Sequence, residues 1–350
     1  MKIALLTIHA ADNYGATLQA YATQRKLEQM GHDVVMVDLD IPNPYSSLKG
    51  LLLYPKHIKF ERFRKKYYHR LTRHYSSLKE LQENPPVADC YLVGSDQTWN
   101  PEITRDKARA FFLDFGDEKV IRTCYAPSFG MQDWEKNPWI STDEAKRLLK
   151  RFDMVCAREA DGVKILSDKF GIDNATQVID PVLFIDDYGE LVGEVPQTEE
   201  LILYKLSNEA EFYDKAKKIT NDLGLTVRSI GSIRKISNIR CGYPEGVEAW
   251  IRRISGARYV MTDSFHGMVF SIIYRRQFVL YARTPKLTNR MSSLLSLLGI
   301  EDRIVQGTTS ADEILKKLQE PIDYEKVHCK LERLRMESTA YLNKIKDLRK

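Results

Sequence analysis

Ala257-Arg-Tyr-Val-Met-Thr-Asp-Ser-Phe-His-Gly-Met-Val-Phe-Ser-Ile-Ile-Tyr274 reads as a short buried strand from Arg258 to Met261, a polar turn at Thr262, Asp263 and Ser264, and an apolar helix. Strand, turn and helix in that order belong to an open α/β sheet. In such sheets ligands bind outside the carboxyl ends of the strands. The helix start offers unpaired N–H groups and partial positive charge to an anion. His266 stands at that start, placed for chemistry on an anionic substrate. The same residues also fit a capping turn before a core helix, because Asp and Ser are common caps.

The pattern continues on both sides. Upstream lie a strand at 201–205, a helix at 209–223 stopped by Gly224, a strand at 226–230 and a helix at 246–255. Downstream lie a strand at 277–281, a loop at 282–288 and helices at 289–298 and 311–319. The amino-terminal half has the same rhythm. Residues 2–8 form a continuous apolar strand, the kind buried on both faces of a parallel sheet. A helix over 16–30 and a strand over 33–38 complete a Rossmann-like β-loop-α-β unit. Its loop, His9 to Gly15, is not G-x-G-x-x-G, so no dinucleotide fingerprint is present. Asn13 and Gly15 offer backbone amides to a ligand there, with Gln19 one turn further on; an ordinary turn capped by Asn13 fits equally.

Further strand exits are polar. The strand 89–93 leaves through Gly94-Ser-Asp-Gln-Thr-Trp-Asn100, where Ser95, Asp96, Gln97 and Asn100 crowd groups suited to a polyhydroxyl ligand. The strand 153–157 runs into Arg158, which can fork onto phosphate or carboxylate, or pair with Glu159 or a neighbouring acid. A strand over 177–185 is interrupted by Asp180-Pro181, and 186–198 reads as a linker. Tyr324, Val327, Leu331, Leu334, Ser338, Tyr341, Ile345 and Leu348 form the apolar seam of one long helix, expected to pack on the first domain.

Composition narrows the class. A chain of 350 residues suits two domains, and a net charge of +5 is too small to argue for nucleic acid. The five cysteines form no C-x-x-C pair, so neither a zinc site nor a disulfide framework is expected, and a cytosolic enzyme fits best. The apolar run 3–8 is too short for a signal segment, and no stretch approaches a membrane span. Residues 42–88 read as an insertion; its part 56–75 is basic and aromatic, suited to anionic lipid headgroups or to a solvated helix face.

Taken in order, Asn13-Tyr-Gly-Ala-Thr-Leu-Gln-Ala-Tyr-Ala22, Val93-Gly-Ser-Asp-Gln-Thr-Trp-Asn100, Ala157-Arg-Glu159, Val178-Ile-Asp-Pro-Val182 and Thr262-Asp-Ser-Phe-His-Gly267 resemble the polysaccharide pyruvyl transferase family over roughly residues 1–300. The resemblance implies two Rossmann-like domains facing a cleft, similar to glycosyltransferases of the B type, with a carboxy-terminal helix returning to the first domain. Domain 1–190 is then the acceptor side, 191–322 carries the motif histidine, and 323–350 is the returning helix. The implied reaction is transfer of pyruvate from phosphoenolpyruvate to a sugar of a cell-surface polysaccharide or its lipid-linked precursor, as a cyclic ketal. It would run in the cytoplasm, at the inner face of the cell membrane, with no metal or further cofactor. The resemblance makes His266 the acid/base and gives Arg158 to phosphoenolpyruvate. Many members carry an arginine where this chain has Ser264. A second cation is therefore expected from Lys286, Arg290 or Arg283, whose loop follows the next strand, and Asp263 is expected to orient His266 or act as base. Two other readings keep the fold: a glycosyltransferase using a nucleotide sugar, and a non-catalytic carbohydrate-binding protein.

Overall fold

The strand of the opening stretch is Tyr259–Thr262 and its helix is Phe265–Ile273, each shifted by about a residue from the sequence reading. They belong to a computed structural model that describes residues 1–40, 53–207, 209–231, 236–241, 244–282 and 285–348. The chain divides into two units. The first comprises 1–54, 61–184 and 333–350; the second comprises 55–60 and 185–332.

In the first unit the strands are β1 (Lys2–Leu6), β2 (Asp33–Leu39), β3 (Leu71–Tyr75), β4 (Cys90–Val93) and β5 (Ile121–Cys124). They form one parallel sheet in the order β3-β2-β1-β4-β5. β1 and β4 are buried along almost their whole length, as a central parallel strand covered by helices must be. The helix Tyr14–Gln29 follows β1. A short parallel pair, β6 (Cys156–Ala157) with β7 (Thr176–Gln177), lies beyond β5.

Two expectations change here. The expected strand 177–185 survives only as β7; Pro181–Phe184 is a 3₁₀ turn, because proline lacks the N–H that a ladder needs. The described part of the expected insertion is not an appendage. β3 pairs with β2, and Phe63, Tyr68 and Tyr75 are buried in this unit.

The second unit holds β8 (Glu200–Tyr204), β9 (Thr226–Ser229), β10 (Arg240–Cys241), β11 (Tyr259–Thr262), β12 (Gln277–Ala282) and β13 (Ile304–Gln306). All pair in parallel, in the order β10-β9-β8-β11-β12-β13. Counted from the unit's own first strand this is 3-2-1-4-5-6, the Rossmann order. One face of the sheet is closed by Phe212, Ala216, Ile219, Ile314 and Leu318 packed on Leu201, Leu203, Met261 and Val279.

The final helix, Tyr324–Asn343, is counted with the second unit up to Glu332 and with the first from Arg333. In the second unit, His328 Nε2 lies 3.0 Å from the carbonyl of Ile272. In the first, Ser338 Oγ accepts from the N–H of Ile179 at 3.1 Å, and Arg335 donates to the carbonyl of Leu183. No helix among the described residues is long and apolar enough to cross a membrane.

Candidate active site

Chain order in the second sheet reverses between β8 and β11, and the ends of these two strands are tied together. Thr262 Oγ1 donates to the carbonyl of Tyr204 at 2.7 Å, and the N–H of Ser264 donates back to Thr262 Oγ1 at 3.0 Å. Ser264 Oγ accepts from the N–H of Gly267 and so caps the helix. Gly267 has to be glycine, since a Cβ there would lie 2.4 Å from Thr262 Oγ1 and 2.9 Å from Tyr204 Cδ1. The helix start is thereby seated on the strand ends. His266, half-buried, occupies its first turn, its ring 5.2 Å edge-on to that of Phe265.

Asp263 is clamped. Its carboxylate accepts from the N–H groups of Leu206 and Ser207 (2.7 and 3.1 Å), from Ser207 Oγ (2.7 Å) and from Lys205 Nζ (2.9 Å). Lys205, fully buried, also lies 3.4 Å from Glu209 and 5.1 Å from the ring centroids of both Phe212 and Tyr281. Buried ammonium groups require such partners. Asp263 thus fastens the exit of β8 to the exit of β11, and His266 is not among its partners. Ser264, expected to touch substrate, is buried and spent on capping. Burial pushes the neighbouring Tyr204 hydroxyl well above the usual phenol range. Arg283 lies outside the described residues, and of Lys286 and Arg290 only the helical backbone of Pro285–Leu298 is described.

The first unit has its own reversal, between β1 and β4. Here most of the singled-out residues are occupied locally. Asn13 Oδ1 accepts from the N–H groups of Gly15 and Ala16, so the Gly15 amide is used by the cap. Gln19 is buried, and its Nε2 donates to Thr7 Oγ1 and to the carbonyl of Ala16, both at 2.9 Å. Gly94 allows the sheet end to close, since a Cβ there would lie 2.9 Å from Thr7 Cβ. Ser95, Asp96 and Gln97 differ in kind. Ser95 Oγ is buried with no hydrogen-bond partner among the described residues. Asp96 is half-buried at φ +74°, a backbone state that costs energy for a residue other than glycine and clusters at functional sites. Gln97 is half-buried, and its Oε1 accepts from Asn100 Nδ2 at 2.9 Å.

Arg158 lies inside an ion cluster. Nη1 is 2.7 Å from Asp180 Oδ2 and Nε is 3.4 Å from Glu159 Oε2, all three side chains being buried. Burial works against the charge, but Asp180 and Glu159 outweigh it and raise the guanidinium pKa. Arg158 thus makes the pairing with neighbouring acids that was one of its two sequence readings. Residues missed in the sequence are Lys205, which looks there like any strand-end lysine, and His9. His9 is buried, with Nε2 3.3 Å from Asp38 Oδ1 and Nδ1 3.2 Å from the carbonyl of Thr7. Hydrogen bonding to His9 leads the causes that lower the Asp38 pKa. The described residues contain no group of three or more His, Cys, Asp or Glu that could hold a metal. A cavity of about 320 Å³ in the second unit, lined by Arg258, Arg275 and Arg276, opens at the amino ends of β11 and β12, away from His266.

A model of the family described as polysaccharide pyruvyl transferase matches residues 13–285, from the cap Asn13 past the His266 turn. The chain belongs to that family. It is therefore a transferase, and its family implies a glycan acceptor and a donor substrate. No curated protein matches the chain. Among solved structures it is similar to the glycotransferase of kitacinnamycin, with 12% identity over 97% of this chain and 95% of that one at a TM-score of 0.56. It is likewise similar to S. aureus MnaA in its UDP co-structure, with 12% identity over 99% and 96% at 0.56. A third is UDP-GlcNAc 2-epimerase from Neisseria meningitidis bound to UDP-GlcNAc, with 10% identity over 97% and 100% at 0.51. Likenesses this remote show the fold alone, and they agree with two Rossmann-like units of the glycosyltransferase B type.

Proposed function

We propose that this pyruvyl transferase family member moves the pyruvyl group of phosphoenolpyruvate onto two hydroxyls of one sugar, closing a cyclic ketal. The acceptor is a sugar of a cell-surface polysaccharide or its lipid-linked precursor, met in the cytoplasm at the inner face of the membrane. The observation that carries this reading is the histidine turn at the order reversal of a Rossmann sheet, in a chain of this family.

The chemistry needs few groups. One sugar hydroxyl adds through oxygen to C2 of the enol phosphate; the π pair moves to C3, which takes a proton from the acid, and the hydroxyl's own proton returns to that group as base. The second hydroxyl then attacks C2, the C2–O bond to phosphate breaks with its electron pair, and the hydroxyl proton leaves with phosphate. His266 is the acid/base, and the start of the helix Phe265–Ile273 favours the donor's negative charge. With Arg158 engaged elsewhere, Lys286 and Arg290, which follow β12 in the chain, are the cations assigned to the donor's phosphate and carboxylate. Asp263 and Ser264 hold the turn; the four hydrogen bonds on the Asp263 carboxylate favour a positioning role over proton abstraction. In the first unit, the half-buried Asp96 and Gln97 meet acceptor hydroxyls, and the neighbouring Ser95 hydroxyl, buried, has hydrogen-bonding capacity in reserve. Asn13, Gly15 and Gln19 shape that sheet end through their local bonds. Arg158, already matched by two carboxylates, braces the exit loops of the first unit. Phosphoenolpyruvate is a co-substrate, and no further cofactor enters.

The same fold leaves a second reading open, a glycosyltransferase using a nucleotide sugar: two of the similar structures carry UDP or UDP-GlcNAc. Thermal unfolding separates the two, because a ligand stabilises the state it binds. Phosphoenolpyruvate is expected to raise the midpoint and UDP- or GDP-sugars to leave it unchanged. His266→Ala is expected to keep the fold and to lower acceptor-dependent phosphate release by about 100- to 10,000-fold, the range of acid–base catalysis. Stabilisation by a nucleotide sugar alone, or full turnover by the variant, would overturn the reading.

A further inference from the structure

The helix Tyr54–Tyr67 sorts its residues by depth. Phe60, Phe63 and Arg64 are buried, whereas Tyr54, Arg62, Lys65 and Lys66 are exposed along the opposite face. Arg64 spends its charge inside, on Asp12 and Glu61. Of the tyrosines in the basic run, Tyr67 is half-buried and two turn inward: Tyr68 donates to the carbonyls of Thr17 and His9, and Tyr75 donates to that of Asn84. What remains outside is charge with a little apolar surface, Tyr54 being 55% exposed. The chain then enters β3, an edge strand, where Leu71 (48% exposed) and Arg73 point outward. Arg70 is matched by Asp33 and His69 by Glu28. Arg62, Lys65 and Arg73 make no ion pair with a described carboxylate.

A basic edge strand has an ordinary use, since charge there blocks edge-to-edge pairing. That use accounts for Arg73. It does not account for a second row of cations on the adjoining helix, or for an exposed tyrosine and leucine among them. Cations flanking shallow apolar side chains are what an anionic headgroup layer rewards. A nucleic acid would reward the cations but would leave an exposed leucine among them without a use.

We propose that Tyr54, Arg62, Lys65, Lys66, Leu71 and Arg73 dock the protein on an anionic phospholipid surface. The use of such a surface rests on the reading that the acceptor is a lipid-linked sugar. With charge outside and most aromatic rings inside, adsorption is peripheral and reversible, and salt weakens it.

Sedimentation of the full chain with vesicles tests this without donor or acceptor present, so its outcome is independent of the reaction. The chain is expected to sediment with phosphatidylcholine vesicles containing phosphatidylglycerol, to stay in solution with phosphatidylcholine alone, and to be released at high salt. Arg62→Glu, Lys65→Glu, Lys66→Glu and Arg73→Glu combined should weaken binding by at least about tenfold, since each basic residue near such a surface contributes. Lys65→Glu with Lys66→Glu, both at exposed positions, gives a milder form of the same loss if the fourfold variant folds poorly. Absence of wild-type binding, or equal binding by folded variants, overturns the proposal. So does stronger retention by soluble dextran sulfate than by anionic vesicles, which would make the partner a polyanion in solution. Vesicle binding without pyruvyl transfer would keep the surface and remove the reaction.

Discussion

His266 owes its position to neighbours more than to itself. The stretch around it is legible in sequence because each member has a local signature: a polar turn, a capping serine, and a glycine before an apolar helix. Lys205 has none. It lies 61 positions before His266 in the chain and reaches the same sheet end only because β8 and β11 are paired. Its ammonium is fully buried and is matched by Asp263 and Glu209, which are themselves partly exposed. Removing one partner of a buried pair leaves the other charge uncompensated, at a cost near 3–5 kcal/mol. Lys205→Met should therefore lower the urea unfolding free energy by about 3 kcal/mol, and Lys205→Met with Asp263→Asn should recover part of that loss. An unchanged midpoint in the single variant would show that the pair does not hold the turn. At position 264, where the resemblance leads one to expect an arginine, a buried serine caps the helix, a task for which serine is among the best residues.

Elements were legible where the apolar pattern is strong and obscure where charge or proline interrupts it. β1, β8, β11 and β12 are apolar runs with polar exits, and each stands within about two residues of its reading. β3 was hidden. Leu71-Thr-Arg-His-Tyr75 carries two basic residues because it is an edge strand, and edges are kept polar. The stretch after β7 was misread in the other direction, as strand, because its apolar residues pack against the core without pairing. Arg158 belongs to this scale, since it joins strand exits: its N–H donates to the carbonyl of Pro127 beyond β5, and its guanidinium meets Asp180 beyond β7. Lysine cannot reproduce a fork between two carboxylates. Arg158→Lys should lower stability by about 1–3 kcal/mol and leave the KM for phosphoenolpyruvate within about twofold of wild type. A KM raised about tenfold at unchanged stability would instead return Arg158 to the donor.

At the level of the whole molecule, the repeated β/α rhythm announced two Rossmann-like halves, and each half has its own parallel sheet and its own order reversal. Periodicity reports such halves well, because it needs only local burial. Their margins are less legible. The second unit takes up the chain from Ile185, inside a stretch that reads as strand, and the last helix is divided at Glu332. Family membership adds the transferase activity, and the geometry adds which residues stand at the two sheet ends. The central claim is that these ends serve pyruvyl transfer. Its most direct test is to supply phosphoenolpyruvate labelled with carbon-13 at C3, together with acceptor glycan, and to follow the label by NMR. The account predicts a glycan-bound methyl group on a quaternary ketal carbon, one phosphate released for each ketal formed, and loss of both signals in His266→Ala. Phosphoenolpyruvate left intact, while a nucleotide sugar is consumed by the same preparation, would contradict it.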